Sequence, residues 1–329
     1  MNILLTNSCN RKCPYCFAQE RISYTGLPEI PASKPRKAPG RISRDDFRQA
    51  LGFARDNGQG MVGILGGEPS VHPQFIELLR DAWTEGLITT IFTNGMWKNS
   101  VIEQFIACTE EEKKLAKIIV NVNEPGITLE KEKRGQENLL EKIGPNCALS
   151  FNIYRKDFAP LFLTDIIDQF NCRRHIRLGV AVPLANQDSE YLAIEDYPEA
   201  ARVIMKLAKL CDQRDVTLGF DCGFILCMFS EKDIGRLQLY GARFQSSCGS
   251  IIDVGTDLSV WSCFPLSTFA QGHSLVDYQS IDELDGSFRK QFGRLYNAGA
   301  LDACVDCRFR RRKQCSGGCA AHVYRRLNS

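Results

Sequence analysis

The strongest constraint on the fold is an alternation. Short apolar runs that read as strands recur every 25–35 residues, and segments with apolar residues at helical spacing separate them. The strand-like runs are 3–6, 61–65, 87–95, 117–123, 148–154, 176–182 and 216–220. The first helix starts at Ser43, with Asp46 three residues on and Phe47, Leu51 and Ala54 following. Later helical segments carry Phe75, Leu79 and Trp83, then cover 98–115, 128–143, the stretch after Pro160 to about 170, and 198–213. Strands alternating with helices predict an α/β fold of βα units around a parallel sheet. Functional groups in such folds gather at the C-terminal ends of the strands. Residues 22–42 interrupt the pattern with four prolines and two glycines, so a long irregular insertion is expected there. After 220 the alternation breaks into short pieces with cysteines, which sets an expected boundary near 215–225.

Composition excludes several classes. The 329 residues are 44% hydrophobic and 24% charged, as in ordinary globular proteins and unlike disordered, collagenous or coiled-coil chains. The 41 Lys+Arg against 39 Asp+Glu leave a charge of +2, so overall charge favours neither nucleic acid nor a membrane. No apolar run approaches the ~20 residues of a spanning helix. The N-terminus lacks the pattern of a secretory signal. A cytoplasmic protein is expected.

Fifteen cysteines are the informative excess. An odd, dense set without a signal argues for metal binding or thiol chemistry rather than a disulfide framework. Cys9, Cys13 and Cys16 are spaced C-x3-C-x2-C, and Cys304, Cys307, Cys315 and Cys319 are spaced C-x2-C-x7-C-x3-C. Cys222, Cys227, Cys248 and Cys263 lie between, near Gly or Pro. Cys108, Cys147, Cys172 and Cys211 read as packing, since a free buried cysteine behaves as a small hydrophobe. Cys211, for example, closes an apolar helical face with Ala200, Ile204 and Leu207. Three cysteines in one loop do not complete a tetrahedral zinc site. They suit three irons of a [4Fe–4S] cube and leave the fourth iron open. Spacing alone also admits zinc with a distant fourth ligand, or a redox-active thiol pair.

Further motifs bear on that choice. Tyr15 precedes the last cysteine of the loop. Gly66-Gly67-Glu68-Pro69 ends the second strand, with His72-Pro73 and Phe75 following, and Thr93-Asn94-Gly95 closes the third. With the cysteine loop after the first strand, this order resembles the radical S-adenosylmethionine (radical SAM) family over residues 1–220. The resemblance implies a partial (β/α)6 barrel in which Cys9, Cys13 and Cys16 hold a [4Fe–4S] cluster. The open iron would take the amino and carboxylate groups of S-adenosylmethionine (SAM). Tyr15 would approach the adenine with its ring or backbone, and the backbone of Gly66, Gly67 and Glu68 would bind the SAM amino group. Asn94, at the end of the third strand, counts among the expected cofactor contacts. Asn121, Asn123 and Asn152 are candidates for ribose and carboxylate contacts. Reductive cleavage would yield methionine and a 5′-deoxyadenosyl radical that abstracts hydrogen from substrate. His72 reads as a helix-entry residue rather than a ligand.

The cysteines beyond 220 are similar to the SPASM extension of radical SAM enzymes, which carries two auxiliary [4Fe–4S] clusters. Two departures are visible: seven residues rather than five follow the C-x2-C, and no cysteine follows Cys319. The resemblance implies one cluster on Cys248, Cys263 and Cys319 with an upstream cysteine. It implies another on Cys304, Cys307 and Cys315, with Cys222 or Cys227 as a fourth ligand or none. Residues 1–220 would be the barrel and 221–329 the auxiliary domain. Arg308, Arg310, Arg311, Arg312 and Lys313 read as a solvated basic loop that offsets cluster charge; an RNA or acidic-peptide contact is the alternative.

The expected activity is oxidation or bond formation on a peptide or protein, as in ribosomal peptide maturation or formylglycine formation. Flavodoxin or ferredoxin would donate electrons. Only eight residues precede Cys9, so a peptide is expected to be held by the barrel mouth, by the 22–42 insertion or by a separate leader-binding protein that presents it. A small-molecule dehydrogenase or synthase, an RNA-modifying enzyme and a non-enzymatic iron–sulfur carrier are the alternatives, in that order. The sequence names no catalytic base.

Overall fold

The apolar runs assemble into one ten-stranded sheet. A computed structural model describes residues 1–19, 22–24, 40–184, 189–269 and 272–328. Counting along the chain, β1 is Asn2–Leu4, β2 Ser8–Cys9, β3 Ser23–Tyr24, β4 Met61–Leu65, β5 Ile88–Thr93 and β6 Ala116–Asn121. Then come β7 Cys147–Ile153, β8 His175–Val180 and β9 Thr217–Phe220. The shorter β10 (Arg243–Phe244), β11 (Asp253–Val254) and β12 (Val260–Trp261) follow. The sheet runs β10-β9-β8-β7-β6-β5-β4-β1-β11-β12, and every pair is parallel except β11 with β12. The seven expected strands are all present and parallel, as covered strands of an α/β fold should be.

The sheet is curled. The Arg177 guanidinium on β8 lies 5.0 Å from the centroid of the Phe92 ring on β5. Two strands separate β8 from β5, so this contact crosses the concave face. Helices cover the other face: α1 (Arg44–Asp56), α2 (Phe75–Thr84), α3 (Asn99–Ile106), α4 (Glu110–Lys114), α5 (Glu130–Ile143), α6 (Phe162–Gln169) and α7 (Tyr197–Gln213). The α1 cap is the expected one, with Ser43 Oγ accepting from the Asp46 N–H at 3.0 Å. On α7 the face of Ala200, Ile204, Leu207 and Cys211 is buried, as are Cys108, Cys147 and Cys172. The single helix expected over 98–115 is two. Thr109 and Glu112 form a capping box that starts α4 afresh.

The segments beyond 220 extend this same sheet at both edges. β10 adds to β9, where Phe244 stacks on Phe220 at 4.4 Å between ring centroids. β11 adds to β1, where Asn2 Nδ2 donates to Asp253 Oδ1 at 2.6 Å. The remaining helices are α8 (Glu231–Leu239), α9 (Ile281–Ala298), α10 (Arg308–Arg311) and α11 (Ala320–Asn328). α9 buries Leu284, Phe288, Phe292 and Tyr296, one face at i+4 spacing. Most of the expected 22–42 insertion, residues 25–39, lies outside the described residues. Its opening residues form β3, which pairs with the cysteine strand β2. Among the described residues no helix is long and apolar enough to cross a membrane.

Candidate active site

The first cysteine loop leaves β2 at the C-terminal end of the parallel strands. Cys9 is buried, and Cys13 and Cys16 are partly exposed. The loop turns where the Cys16 N–H donates to the Cys13 carbonyl at 3.2 Å. Gly66 and Gly67, after β4, pack directly against it. A Cβ on Gly67 would run into the Ser8 carbonyl and come within 2.8 Å of Cys9 Cβ. The Gly67 N–H donates to the Thr6 carbonyl at 2.7 Å, and the Glu68 N–H to the Ser8 carbonyl at 2.9 Å. The glycines are therefore required by the close approach of the cysteine loop itself.

Glu68 ties the next strand end to this loop. Its buried carboxylate accepts from the Ser70 N–H at 3.2 Å and the Ser70 hydroxyl at 2.7 Å. It also accepts from the Thr93 hydroxyl and the Asn94 N–H, both at 2.7 Å. Burial still pushes its pKa up, against those hydrogen bonds. Asn94 Nδ2 donates to Asn10 Oδ1 at 2.8 Å and lies 3.9 Å from Cys9 Sγ. Gly95, at φ +79°, allows the chain to turn away.

Tyr15 and three asparagines form one hydrogen-bonded chain at the ends of β6 and β7. Asn152 Nδ2 donates to Asn121 Oδ1 at 2.9 Å, and Asn121 Nδ2 donates to the Tyr15 hydroxyl at 3.0 Å. The Tyr15 hydroxyl in turn donates to Asn123 Oδ1 at 2.5 Å. The Tyr15 ring is buried and stacks on Tyr154 with centroids 4.8 Å apart. Its ring and hydroxyl are thus committed within the protein.

Sequence reasoning missed three residues here. Arg11, inside the C-x3-C, is 2% exposed. Its Nη1 donates to the Asn121 carbonyl at 3.0 Å, and its Nε pairs with Glu132 on α5 at 3.2 Å. Its Nη2 is buried without a hydrogen-bond partner among the described residues. Gln136, one turn after Glu132, donates from Nε2 to the carbonyls of Asn94 at 2.7 Å and Asn121 at 3.0 Å. The signals were a cation inside a metal-type loop and two buried polar residues four apart on one helix face. His72 behaves as expected of a helix-entry residue: Nε2 faces the Ile42 carbonyl at 3.2 Å and Nδ1 accepts from the Gln74 N–H at 3.2 Å.

The donor set suits a cationic metal centre. Burial pushes the Cys16 thiol up to about 12 and raises Cys9 and Cys13 as well; Cys13 adds to the rise at Cys16, and Cys13 and Cys16 add to that at Cys9. Thiols in such a place ionise when a metal takes the proton's position. The buried cation of Arg11, with a spare donor, fits the negative charge of a thiolate-ligated cluster. Among the described residues, no three His, Cys, Asp or Glu side chains converge on a point suited to one ion. A [4Fe–4S] cube spreads its thiolates farther apart than a single ion does.

The other eight candidate cysteines fall into two groups. Cys222 follows β9, Cys263 follows β12, Cys319 opens α11, and Cys248 lies between β10 and β11. These four perturb one another: the charges of Cys248 and Cys222 both act on Cys263 and on Cys319. The Cys319 thiol donates to Cys248, which lowers Cys248 to about 7 despite its burial. Burial pushes Cys222 up to about 12, with Asp221, Cys248 and Asp253 adding to it. Cys227 is exposed and belongs elsewhere. Burial of its sulfur raises it to about 11, and the charges of Cys315, Cys304 and Cys307 add to the rise.

Glycines shape the second group. Gly299 and Gly317, both at positive φ, press on Cys304; a Cβ on either would come within 3.2 Å of its sulfur. The basic run is partly structural. Arg310 donates to the carbonyls of Ala298 at 3.2 Å, Cys304 at 3.1 Å and Asn297, and Arg308 pairs with Glu231 at 2.5 Å. Arg311, Arg312 and Lys313 are exposed.

Comparison with known proteins bears on the barrel. Residues 3–132 match the radical SAM superfamily model. The chain is 28% identical over 96 residues to an S-adenosylmethionine-dependent nucleotide dehydratase of Flammeovirga pacifica. It is 30% identical over 98 residues to a GTP 3′,8-cyclase of Desulforamulus reducens. Each match takes in 29% of this chain, and 30% and 27% of the respective relatives, less than a third of their lengths. In structure, the chain resembles SuiB of Streptococcus suis, crystallised with S-adenosylmethionine and with its precursor peptide SuiA. For the S-adenosylmethionine complex the TM-score is 0.66 at 18% identity, covering 97% of this chain and 72% of SuiB. At that identity the likeness is one of fold, and it extends past the barrel strands. Together with the cysteine loop and the glycine-lined strand end behind it, these matches make residues 3–132 a radical SAM superfamily domain.

Proposed function

We propose that the protein cleaves SAM reductively to a 5′-deoxyadenosyl radical and uses that radical to oxidise or cross-link a peptide or protein. The observation that carries this reading is the convergence of four strand ends on one loop. Cys9, Cys13 and Cys16 sit there beside Gly67, Glu68, Asn94 and the Tyr15–asparagine chain. The three thiolates would hold a [4Fe–4S] cluster, which supplies one electron and an open iron for SAM. Around it, Glu68 fixes the strand end whose backbone would bind the SAM amino group. Asn121, Asn123 and Asn152 offer polar contacts at the mouth, and the buried Tyr15 contributes through its backbone.

The eight C-terminal cysteines support auxiliary clusters that take an electron from a substrate radical. Their two groups have four thiols each, the number that a closed [4Fe–4S] cluster needs. In this reading 1–220 is the catalytic barrel and 221–329 the electron-accepting SPASM-type part, although the sheet runs through both. The resemblance to SuiB, a protein seen with its precursor peptide, supports a peptide substrate. A low-potential donor of the flavodoxin or ferredoxin class would reduce the first cluster in the cytoplasm, and a separate leader-binding protein would present the peptide. A small nucleotide-like substrate is the second reading. It is favoured by the names of the two sequence relatives and by Arg177 on the concave face.

The test is incubation of the reconstituted protein with SAM, dithionite and candidate peptides or nucleotides without oxygen. 5′-Deoxyadenosine should form, and one substrate should lose two mass units or gain a cross-link. Absence of 5′-deoxyadenosine from a fully iron-loaded protein would overturn the proposal.

A further inference from the structure

Arg11 is unlike its loop neighbours. The cysteines it separates are the expected cluster ligands, yet its own side chain turns into the protein and is 1% exposed. A guanidinium is rarely removed from water so completely, and when it is, pairing must offset the desolvation. Here the pairing is incomplete. Glu132 takes Nε and the Asn121 carbonyl takes Nη1, while Nη2 has no partner among the described residues. The unpaired donor belongs to a cation that acts on Cys13 and Cys9. The Arg11 backbone N–H also donates toward the Cys9 sulfur. Glu132, the counter-charge, is held behind on α5.

Charge accounting gives this arrangement a purpose. A one-electron reduction adds a negative charge to a centre already ringed by three thiolates. In a buried, low-dielectric place that addition is costly unless a cation is fixed nearby. The lysine next in the loop does not fill this role, because Lys12 is exposed and water screens it.

We propose that Arg11 is a positioning residue for electron entry: its buried guanidinium is the fixed counter-charge that raises the reduction potential of the cluster on Cys9, Cys13 and Cys16. The electron comes from a low-potential one-electron donor, and no proton or bond change accompanies it at Arg11. Glu132 opposes the effect and holds the guanidinium in place. The link from Nη1 to the Asn121 carbonyl joins this cation to the strand end that carries the Tyr15–asparagine chain. The inference rests on the reading of the three thiols as cluster ligands.

The experiment is a dithionite potentiometric titration of the reconstituted full chain followed by electron paramagnetic resonance. The component to follow is the one whose spectrum changes when SAM is added. Arg11→Met should make its midpoint more negative by at least a tenfold change in the reduction equilibrium, ~59 mV for one electron. Glu132→Gln should move it the opposite way, and Arg11→Lys should stay near the unsubstituted protein. Opposite signs separate an electrostatic role from general damage to the loop, which would push both variants the same way. Shifts of one sign, or none, would overturn the proposal. If Arg11→Met fails to take up iron, Glu132→Gln decides alone, and an unchanged midpoint there sinks the idea. If the unsubstituted protein shows no SAM-responsive component, the ligand reading itself fails and takes the inference with it.

Discussion

The two ends of the chain solve the same problem, gathering thiols, in opposite ways. Cys9, Cys13 and Cys16 come from one loop, so local chain geometry alone brings them together, and strand ends are then packed around them. Cys222, Cys248, Cys263 and Cys319 come from four places up to 97 residues apart in sequence, and only the finished sheet assembles them. Cys222 follows one outer region of the sheet and Cys263 the other, yet each feels the other's surroundings. A cluster bound there would close the curled sheet across its opening. In this reading the fold would support the first site, whereas the second group, holding a cluster, would support the fold.

The largest effect should come from the loop that depends least on the rest. Changing Cys9, Cys13 and Cys16 together to Ala should abolish SAM cleavage and remove about a third of ~12 irons, with the thermal transition little changed. Iron analysis, 5′-deoxyadenosine formation and circular dichroism check this. Undiminished cleavage would break the comparison at its first member. The C-terminal pairings give the next largest effect. Cys222→Ala with Cys263→Ala removes two ligands from one group and should cost about four irons. Cys222→Ala with Cys304→Ala strikes both groups and should cost up to about eight. A reversed order, with the larger loss from the Cys222 and Cys263 double variant, would show that Cys222 and Cys227 are assigned the wrong way round. In both doubles slow SAM cleavage should survive while substrate product disappears.

That contrast also explains what the sequence could reveal. The cysteine loop, Gly66-Gly67-Glu68 and Thr93-Asn94-Gly95 are contiguous motifs at strand ends, so reading along the chain finds them. The seven parallel strands are found because each is long enough to show an apolar run. β10, β11 and β12 have two residues each, too few for any periodicity, and so the sheet's continuation past 220 is invisible until partners are known. The glycines announce a close approach but not what approaches, which proves to be Ser8 and Cys9. Arg11, Glu132 and Gln136 carry no motif because their meaning lies in contacts between segments 42 to 121 residues apart. The sorting of Cys222 from Cys227 fails for the same reason. Only four residues lie between them in sequence, but the largely buried segment between β9 and α8 sends them to different neighbours.

The smallest expected effect concerns acid and separates the two regions by stability rather than activity. His322 lies on α11, one turn after Cys319, and is 8% exposed. Its ring packs against Tyr191 and Tyr197, with the Tyr197 hydroxyl 3.4 Å from Nε2. Burial, and then the charge of Arg325, push its pKa down to about 4. The folded protein therefore holds a neutral ring where the unfolded chain would hold a charged one below about 6.5. Stability from this group is complete above pH ~6.5 and is lost progressively as pH falls toward 4, because the unfolded state binds the extra proton. The full loss is on the order of 3 kcal/mol, of which about half should be felt by pH 5. No histidine lies in the Cys9–Cys16 loop, so the first cluster should not share this dependence. Melting of the full chain at pH 7.5 and pH 5, with and without His322→Phe, measures it. The substituted protein should lose less on acidification than the original, and equal losses would mean that the buried histidine does not set the acid sensitivity of the C-terminal region.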